Sequence, residues 1–282
     1  MMKKVAIITD STAYLPQEII DDLGIHVVPL TLQWDGNSYR DGIDMTVEEF
    51  YHKLSTSSSI PTTSQPPAIL FEQLFEDLIE KDFSVFTMLI SSGISGTVES
   101  ALQAKANFPG APIEVMDSRV VAMPLGFLVL TVARAARDGA NLEECVELAK
   151  VSYPKLGVYF TVDTLKYLNK GGRINTAKRL LGSALDIRPI MEIRDGKIEL
   201  VESVRSRKKS LQRMLELVER DIEGKEPVRI STFHAASEQD CEILMEEAIK
   251  RFHPVETITT YVSPVIGSHT GPGTVSIAYI AG

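Results

Sequence analysis

Residues 85–104 of the chain read VFTMLISSGISGTVESALQA, which is an apolar run, a turn of glycine and hydroxyl residues, and a helical pattern. The apolar run at residues 85–90 is typical of a buried strand, and residues 98–104 favour a helix. A strand, a tight turn and a helix N-terminus in succession leave backbone N–H groups free beside the positive end of the helix dipole. Because hydroxyl groups rather than lysines surround the turn, the segment predicts a site for a carboxylate or a single phosphate.

The alternation of strand and helix patterns continues on both sides of this segment. Further strands are predicted at residues 5–9, 27–33 and 113–116, and helices at residues 16–22, 46–53, 68–80 and 125–136. This alternation indicates an α/β domain with a mostly parallel sheet and helices on both faces. Ligands of such sheets bind beyond the carboxyl ends of the strands. We therefore expect Asp10-Ser11-Thr12, residues 91–97 and Asp117-Ser118 along one edge of the sheet.

The pattern changes near residue 155, where we place a boundary between two α/β domains, residues 1–155 and 156–282. The second domain begins with a predicted strand at residues 158–162. It continues with a hairpin whose tight turn is Asp195-Gly196. Helices at residues 206–223 and 238–252 alternate with further strands, which predicts a smaller domain with a mixed sheet.

Composition and charge exclude several classes of protein. The chain has 282 residues, 44% of them hydrophobic, and a net charge of −9. An acidic chain lacks the basic surface that a general nucleic-acid-binding protein needs. Cys145 and Cys241 have no cysteine or histidine at metal-ligand spacing, so we expect neither a disulfide nor a metal site.

The apolar stretches of the chain are short. Residues 120–133 fall below the roughly 20 residues that cross a bilayer, and we interpret them as a helix buried on nearly all sides. Residues 5–9 are too few for the apolar region of a secretion signal. We therefore expect a soluble, cytoplasmic protein.

Two further segments combine glycine, proline and hydroxyl residues: Thr62-Thr63-Ser64-Gln65-Pro66-Pro67 and residues 266–273, IGSHTGPG. Thr63 and Ser95 are equally well explained as loop caps, since serine and threonine are common caps. His269 stands between glycines with Pro272 after it, which predicts a constrained loop rather than an apolar helix face. From such a loop it can donate a hydrogen bond to an anion or assist a phosphoryl transfer, or it can simply order the loop.

Six segments of the chain occur in the order found in a known family. They are Asp10-Ser11-Thr12, Thr63-Ser64-Gln65-Pro66, residues 92–97, Asp117-Ser118, Gly171-Gly172-Arg173-Ile174 and residues 266–273. Along essentially its whole length, the chain closely resembles the DegV family of bacterial fatty-acid-binding proteins. The resemblance implies a two-domain α/β protein that holds one long-chain fatty acid between its domains, without catalytic residues or a cofactor of its own. It also implies a partner, a separate fatty acid kinase that phosphorylates the bound carboxylate to an acyl phosphate for phospholipid metabolism.

The resemblance also assigns roles to particular residues. The positions that match the carboxylate site of the family are Thr63, Ser95, Gly96, Thr97 and His269. Arg173 and Arg205 resemble arginines that contact the kinase or the transferred phosphoryl group. The chain departs from the family at Val98, where tyrosine is frequent, and at Pro67, where serine is frequent; the anion site itself is left intact.

The chemistry of the residues is compatible with a lipid carrier. A carboxylate can be held by two hydroxyl groups and a backbone N–H at a helix start, through charge-assisted hydrogen bonds and without a buried cation. The helices at residues 68–80 and 125–136 carry more apolar side chains than one face needs. Core packing explains each of these side chains singly, and together they also allow an acyl tunnel.

A basic group stands out in this acidic chain: Arg205, Arg207, Lys208, Lys209 and Arg213. Such a run is usually the solvated start of a helix. It can also dock an acidic partner or make transient contact with an anionic membrane surface.

Two enzymatic functions are alternatives to the carrier. A stand-alone serine hydrolase or esterase would use Ser95 and His269, with Asp10 or Asp117 as the third member of the triad. Gly96, directly after Ser95, stands one position too early for the second glycine of the G-x-S-x-G elbow. A phosphatase with Asp10 as nucleophile lacks a second aspartate two residues on. The chain also has no G-x-x-x-x-G-K-[ST] loop, so a phosphoryl donor must come from another protein.

Overall fold

The computed structural model describes residues 3–182 and 187–282, which form three β-sheets with helices packed around them. The strands are, in chain order, β1 (Val5–Asp10), β2 (His26–Val28), β3 (Thr31–Trp34), β4 (Asn37–Arg40), β5 (Thr62–Ser64), β6 (Ser84–Leu89), β7 (Ile113–Asp117), β8 (Leu156–Thr161), β9 (Arg188–Arg194), β10 (Lys197–Val204), β11 (Val228–His234), β12 (Glu256–Tyr261) and β13 (Val275–Ala281). The α-helices are α1 (Gln17–Leu23), α2 (Val47–Thr56), α3 (Ala68–Glu80), α4 (Thr97–Lys105), α5 (Met123–Arg137), α6 (Leu142–Ser152), α7 (Lys166–Lys170), α8 (Arg207–Ile222), α9 (Glu238–Phe252) and α10 (Pro264–Thr270). Short 3₁₀ turns lie at Ser11–Ala13, Tyr153–Lys155 and Asn175–Leu180.

The first sheet contains four parallel strands in the order β2-β1-β6-β7. β1 and β6 are buried along their whole length, which explains why their sequences are continuous apolar runs. Helices α3 and α4 cover one face, where Phe71 and Phe75 pack with Ile8 and Val85. Helices α5 and α6 cover the other face. The parallel sheet with helices on both faces, predicted from the first half of the sequence, is confirmed.

The second sheet contains six strands in the order β10-β9-β8-β13-β11-β12. All neighbours are antiparallel except β11 and β12. Helices α8 and α9 pack on one face, around Ile230 and Ile277. The hairpin of β9 and β10 turns at Asp195-Gly196, where φ is 51° and 77°, as the sequence predicts. The mixed sheet of the second domain is confirmed, whereas the domain boundary between residues 155 and 156 stays a prediction.

Helix α5 lies between the two large sheets. It contacts β1 and β6 of the parallel sheet and β8 and β13 of the mixed sheet. Almost every side chain from Met123 to Ala133 is buried, which confirms the interpretation of this stretch as a helix covered on nearly all sides. Within the described residues, no helix is both long and apolar enough to span a bilayer.

The predicted strand at residues 27–33 is wrong. The chain forms β2, which pairs in parallel with β1, and then β3, which belongs to a separate three-stranded antiparallel sheet in the order β4-β3-β5. Pro29 has no N–H to donate to a ladder, so it separates the two strands. The sequence interpretation missed this small sheet, although Asp35-Gly36 carries the same tight-turn signal as Asp195-Gly196 and has the same positive φ angles.

The Asp10 carboxylate joins the carboxyl ends of β1 and β6. One oxygen accepts from the N–H and hydroxyl of Thr12, at 2.9 and 2.6 Å, and the other accepts from the N–H of Ile90 at 2.7 Å. Burial raises the pKa of Asp10, while these donors oppose the shift. At the end of β7, Asp117 accepts from the N–H and hydroxyl of Ser92. The three polar segments therefore lie along one edge of the sheet, as predicted.

Replacing Asp10 with alanine removes the acceptor that three buried donors share. Each such donor without a partner costs about 1–3 kcal/mol, so we expect Asp10→Ala to lower the free energy of unfolding by about 3 kcal/mol or more. The exposed Asp138, which follows α5, is the control, and Asp138→Ala should change stability by less than about 0.5 kcal/mol. Urea unfolding followed by circular dichroism measures both variants. If Asp10→Ala were as stable as the unsubstituted protein, the carboxylate would not hold the strand ends.

Candidate functional site

A cavity lies between the parallel sheet and the mixed sheet. It encloses about 860 Å³, part of which is open to solvent. Side chains of both halves of the chain form its apolar wall: Leu30, Ile90, Ile94, Val121, Ala122, Val158, Phe160, Ile193, Ile198, Phe233, Val262, Val265 and Ile266. Polar side chains also line it, among them Thr63, Ser95, Arg173 and His269. A cavity with this lining suits a ligand with a long apolar part and one polar group.

The strand pattern of the mixed sheet explains why one wall of the cavity is apolar. Phe160 of β8 is opposite Ser276 of β13, which is in turn opposite Phe233 of β11. Residues that are paired across neighbouring strands lie on the same face of a sheet. These three side chains face the cavity, whereas the alternate residues face α8 and α9.

The helices at residues 68–80 and 125–136 do not supply the cavity wall, contrary to the expectation of an acyl tunnel between them. No side chain of α3 or α5 lines the cavity. Phe71, Phe75 and Leu78 of α3 pack on the parallel sheet, and α5 fills the space between the two sheets. The excess of apolar residues in these helices is core packing. Much of the wall comes instead from strands of the mixed sheet, from Val121 and Ala122 just before α5, and from Val265 and Ile266 of α10 itself.

The turn between β6 and α4 is held by its own serines. The N–H groups of Ile94 and Ser95 donate to Ser91 O. The Ser95 hydroxyl lies at the cavity and is 2.8 Å from the Thr97 hydroxyl. Thr97, the first residue of α4, is fully buried and lies outside the cavity wall, so it supports Ser95 rather than facing the cavity. Gly96 precedes α4 without a side-chain cap and does line the cavity.

His269 does not lie on a loop, as the sequence suggested, but in α10. Pro264 occupies the first turn of that helix, where proline is favoured, and Gly271, with φ of 77°, ends it. Nε2 of His269 lies 2.7 Å from the hydroxyl oxygen of Thr63. Thr63 is likewise on a strand, β5, rather than in a loop. The two residues, 206 positions apart in sequence, therefore form one polar wall of the cavity.

The His269 ring is neutral. Burial lowers the pKa of His269 to about 4, and the positive charge of Arg173 acts in the same direction. Nδ1 is buried against Gly171 and has no hydrogen-bond partner among the residues that the structure describes. A buried N–H without an acceptor is costly, so we assign the proton to Nε2. Nε2 then donates to the Thr63 oxygen, which leaves the hydrogen of the Thr63 hydroxyl free to donate into the cavity.

Arg173 supplies positive charge to the same region. Its Nε and Nη2 donate to Ile94 O, each at 3.2 Å, and Nη1 donates to Gly171 O at 2.6 Å. The guanidinium thus connects the segment after α7 to the turn before α4. No carboxylate of the described residues forms an ion pair with Arg173, so its charge is available to an anionic ligand.

Of the predicted site residues, the structure brings Thr63, Ser95, Gly96, Arg173 and His269 together around the cavity. Arg205 is exposed, between β10 and α8, and lies outside the cavity wall. The sequence interpretation missed two contributors. Gln65 packs its amide against Gly96, where a Cβ would lie 2.9 Å from Nε2. The β9–β10 hairpin provides Ile193 and Ile198, and the O of Gly196 accepts from the Ser91 hydroxyl at 2.8 Å.

The geometry gives no support to a hydrolase triad or to an aspartyl nucleophile. His269 bonds Thr63, and Ser95 bonds Thr97. Asp10 is fully buried, with both oxygens engaged in the sheet. Asp117 holds Ser92 and the N–H of Arg119. Neither aspartate orients His269.

A family model described as "Uncharacterised protein, DegV family" matches residues 4–282. The chain belongs to the DegV family. A DegV domain-containing protein from Listeria innocua is 37% identical over 281 residues, covering 99% of each chain. Protein DegV from Bacillus subtilis is 33% identical over 276 residues, covering 98% of each chain.

Solved structures of DegV proteins share the fold. A DegV family protein from Thermus thermophilus, described by its fatty acid binding, superposes with a TM-score of 0.94 at 31% identity and 99% coverage of both chains. DegV from Bacillus subtilis, described as a fatty acid binding protein, gives a TM-score of 0.90 at 32% identity over the whole of both chains. A stearic acid-binding protein from Eubacterium ventriosum gives 0.90 at 26% identity, covering 99% and 98% of the two chains. The predicted two-domain α/β fold of the DegV family is thereby confirmed.

Gly171 is needed for the close approach of His269. A Cβ at residue 171 would overlap His269 Nδ1, and its three nearest atoms all belong to that ring. We expect Gly171→Ala to displace the ring and to lower the free energy of unfolding by about 1–3 kcal/mol. In a His269→Ala background the same substitution should be nearly neutral, because the overlapping ring is gone. Thermal unfolding of the four proteins of this cycle tests the contact, and equal effects in both backgrounds would contradict it.

Proposed function

We propose that this protein binds one long-chain fatty acid between its two domains, with the carboxylate at Thr63, Ser95, Gly96 and His269 and the acyl chain along the apolar wall. The observation that supports the proposal is the cavity itself, which is apolar over most of its lining and polar at the residues that the DegV motifs supply. Relatives described as fatty-acid-binding proteins have the same fold over nearly the whole chain.

The polar residues offer donors of the kind that a carboxylate requires. Neutral His269 donates to Thr63, so the hydroxyl hydrogens of Thr63 and Ser95 can turn toward an anion, and the N–H groups at the start of α4 lie beside them. Arg173 adds a cation, which the sequence interpretation did not expect at the carboxylate. A carboxylate near this guanidinium would gain Coulomb energy in a partly buried site.

The acyl chain would supply most of the affinity. Each buried CH₂ contributes about 0.8 kcal/mol, so a chain of roughly 16 carbons gains on the order of 10 kcal/mol before the costs of association. The hydroxyl groups and His269 would then fix the orientation of the ligand and add a smaller share of the affinity.

We further propose that the protein is not an enzyme itself but presents the carboxylate to a separate fatty acid kinase in the cytoplasm. Its sequence has no nucleotide-binding loop, so the phosphoryl donor would be held by that partner. The exposed Arg205, Lys208 and Lys209 are suited to an acidic surface, either on the kinase or, transiently, on an anionic membrane, whereas Arg207 and Arg213 already form ion pairs within the protein. Arg173 would contact the carboxylate and, after transfer, the phosphoryl group.

Mass spectrometry of the purified protein distinguishes the carrier from the hydrolase. Under native conditions we expect one fatty acid per chain, and organic extraction should release it and reveal its length. A ligand-free mass, with no uptake of added palmitate or oleate, would contradict the proposed function. The Ser95 and His269 hydrolase would then be tested with a serine-directed fluorophosphonate probe.

The hydroxyl groups are tested by a double variant, Thr63→Val with Ser95→Ala. Loss of two hydrogen bonds to a charged group, each worth about 1.5–3 kcal/mol, should weaken palmitate binding by at least tenfold while the protein stays folded. Thr62→Val with Ser92→Ala is the matched control, because both residues neighbour the site and neither lines the cavity. Displacement of a fluorescent fatty acid measures the affinity. Equal affinity of the two double variants would overturn the assignment of the carboxylate site.

The two arginines should separate lipid binding from phosphorylation. Arg205→Gln should retain palmitate but slow acyl phosphate formation by a bacterial fatty acid kinase, because Arg205 lies outside the cavity. Arg173→Gln should reduce the palmitate affinity and the rate of acyl phosphate formation by about tenfold each, and a tenfold change corresponds to roughly 1.4 kcal/mol. Lys250→Gln, at the end of α9, is the control for a lost surface charge. If Arg205→Gln lost lipid and kept turnover, the proposed division of roles would be wrong.

A further inference from the structure

Asp41 is a buried carboxylate that lies outside the cavity wall. It follows β4 and is only 3% exposed. One oxygen accepts from the Ser11 hydroxyl at 2.8 Å, and the other accepts from the N–H of Val265 at 3.0 Å. Asp41 thus connects the edge of the parallel sheet to the first turn of α10.

The same carboxylate is tied into the cavity wall. The N–H of Leu30 donates to the Ser11 hydroxyl at 3.2 Å, and the N–H of Asp41 donates to Leu30 O at 2.9 Å. Leu30 and Val265 both line the cavity. A substitution of Asp41 would therefore affect the cavity wall both at Leu30 and at Val265.

Helix α10 carries this constraint to His269. Val265 and His269 are four residues apart, so they lie one turn apart on the same face of the helix. A helix of seven residues has little stability of its own, so its position depends on its contacts with other elements, those at its two ends among them. Asp41 holds the first turn and Thr63 meets His269 at the last one.

Burial makes a charged carboxylate unfavourable at this position. Within the described residues, the Ser11 hydroxyl and the Val265 N–H donate to it and the Ser263 hydroxyl lies near it, yet burial still raises the pKa of Asp41 to about 6. An apolar or smaller residue would avoid the desolvation of a charge. The carboxylate does, however, provide one acceptor for the hydroxyl of Ser11 and one for a free N–H at a helix start.

We propose that Asp41 is a positioning residue for the carboxylate site: it fixes the first turn of α10 and, through that helix, sets His269 against Thr63. The proposal rests on the proposed function for its meaning, but its geometry can be tested without a lipid. The neighbouring Asp44 provides a control, since it pairs with Arg40 on the surface.

Nuclear magnetic resonance of ¹⁵N-histidine protein without added lipid reports on His269 directly. The chain has five histidines, and His269→Gln identifies the signal of that ring. We expect Asp41→Ala to shift or broaden the His269 signals and to weaken palmitate binding by about tenfold, equivalent to roughly 1.4 kcal/mol. Asp41→Asn keeps an acceptor for Val265 and should restore both properties. Asp44→Ala should change neither.

The outcomes separate this proposal from the proposed function. If the unsubstituted protein bound no fatty acid, the proposed function would fail, while the lipid-free spectra would still decide the role of Asp41. If Asp41→Ala lowered the melting temperature but left the His269 signals unchanged, Asp41 would be structural only, and the proposal would be overturned.

If Asp41→Ala does not fold, a pH titration of the His269 signal tests the positioning role of Asp41 instead. Among the described residues, the titratable groups acting on Asp41 are Asp10 from β1, Tyr14 after it, and Tyr51 from α2, and burial keeps both tyrosines protonated. The Ser263 hydroxyl, just before α10, and the Val265 N–H in its first turn also face Asp41. Because the pKa of His269 is about 4, a shift of its signal near pH 6 reports a neighbour. We expect that shift in the unsubstituted protein and not in Asp41→Asn. Identical titration curves of the His269 signal in the unsubstituted protein and in Asp41→Asn would overturn the proposal.

Discussion

The structure depends on the burial of α5 between two sheets. Each sheet has its own helices on the outer side, and α5 is the element that both share. Its apolar side chains leave no room for a ligand, so the two sheets separate only beside the helix, and there the cavity forms. The position of the cavity is thus a consequence of where the shared core ends.

The polar part of the cavity is assembled from distant parts of the chain. β5 provides Thr63, the turn before α4 provides Ser95, the segment after α7 provides Arg173, and α10 provides His269. Each of these groups is held by a contact with another element: Thr63 with His269, and Arg173 with Ile94 O. A change in the relative position of the two halves of the chain would therefore alter the polar residues before it altered the apolar wall.

The sequence predicted the parallel sheet, the buried α5 and the hairpin at Asp195-Gly196, because buried strands and tight turns leave strong local patterns. Through the DegV motifs rather than through geometry, it also named Thr63, Ser95, Gly96 and His269, which line the cavity, together with Thr97, which does not. The errors arose where tertiary contacts decide the local structure. Thr63 is in a strand because β3 pairs with it, and His269 is in a short helix that is held by other elements. The assignment of Arg173 to the kinase or the transferred phosphoryl group stays a prediction; no local pattern shows that its guanidinium also reaches Ile94 O.

The neutrality of His269 sets the charge balance of the cavity. With the pKa of His269 at about 4, Arg173 is the one cationic side chain among the described residues of the cavity wall. One positive charge compensates a monoanion, whereas a dianion would leave a negative charge without a partner in a partly buried site, which is unfavourable. For the proposed ligand, the polar end would therefore select by valence as well as by shape, and a ligand that acquired a second negative charge there would be held less firmly than the monoanion that entered.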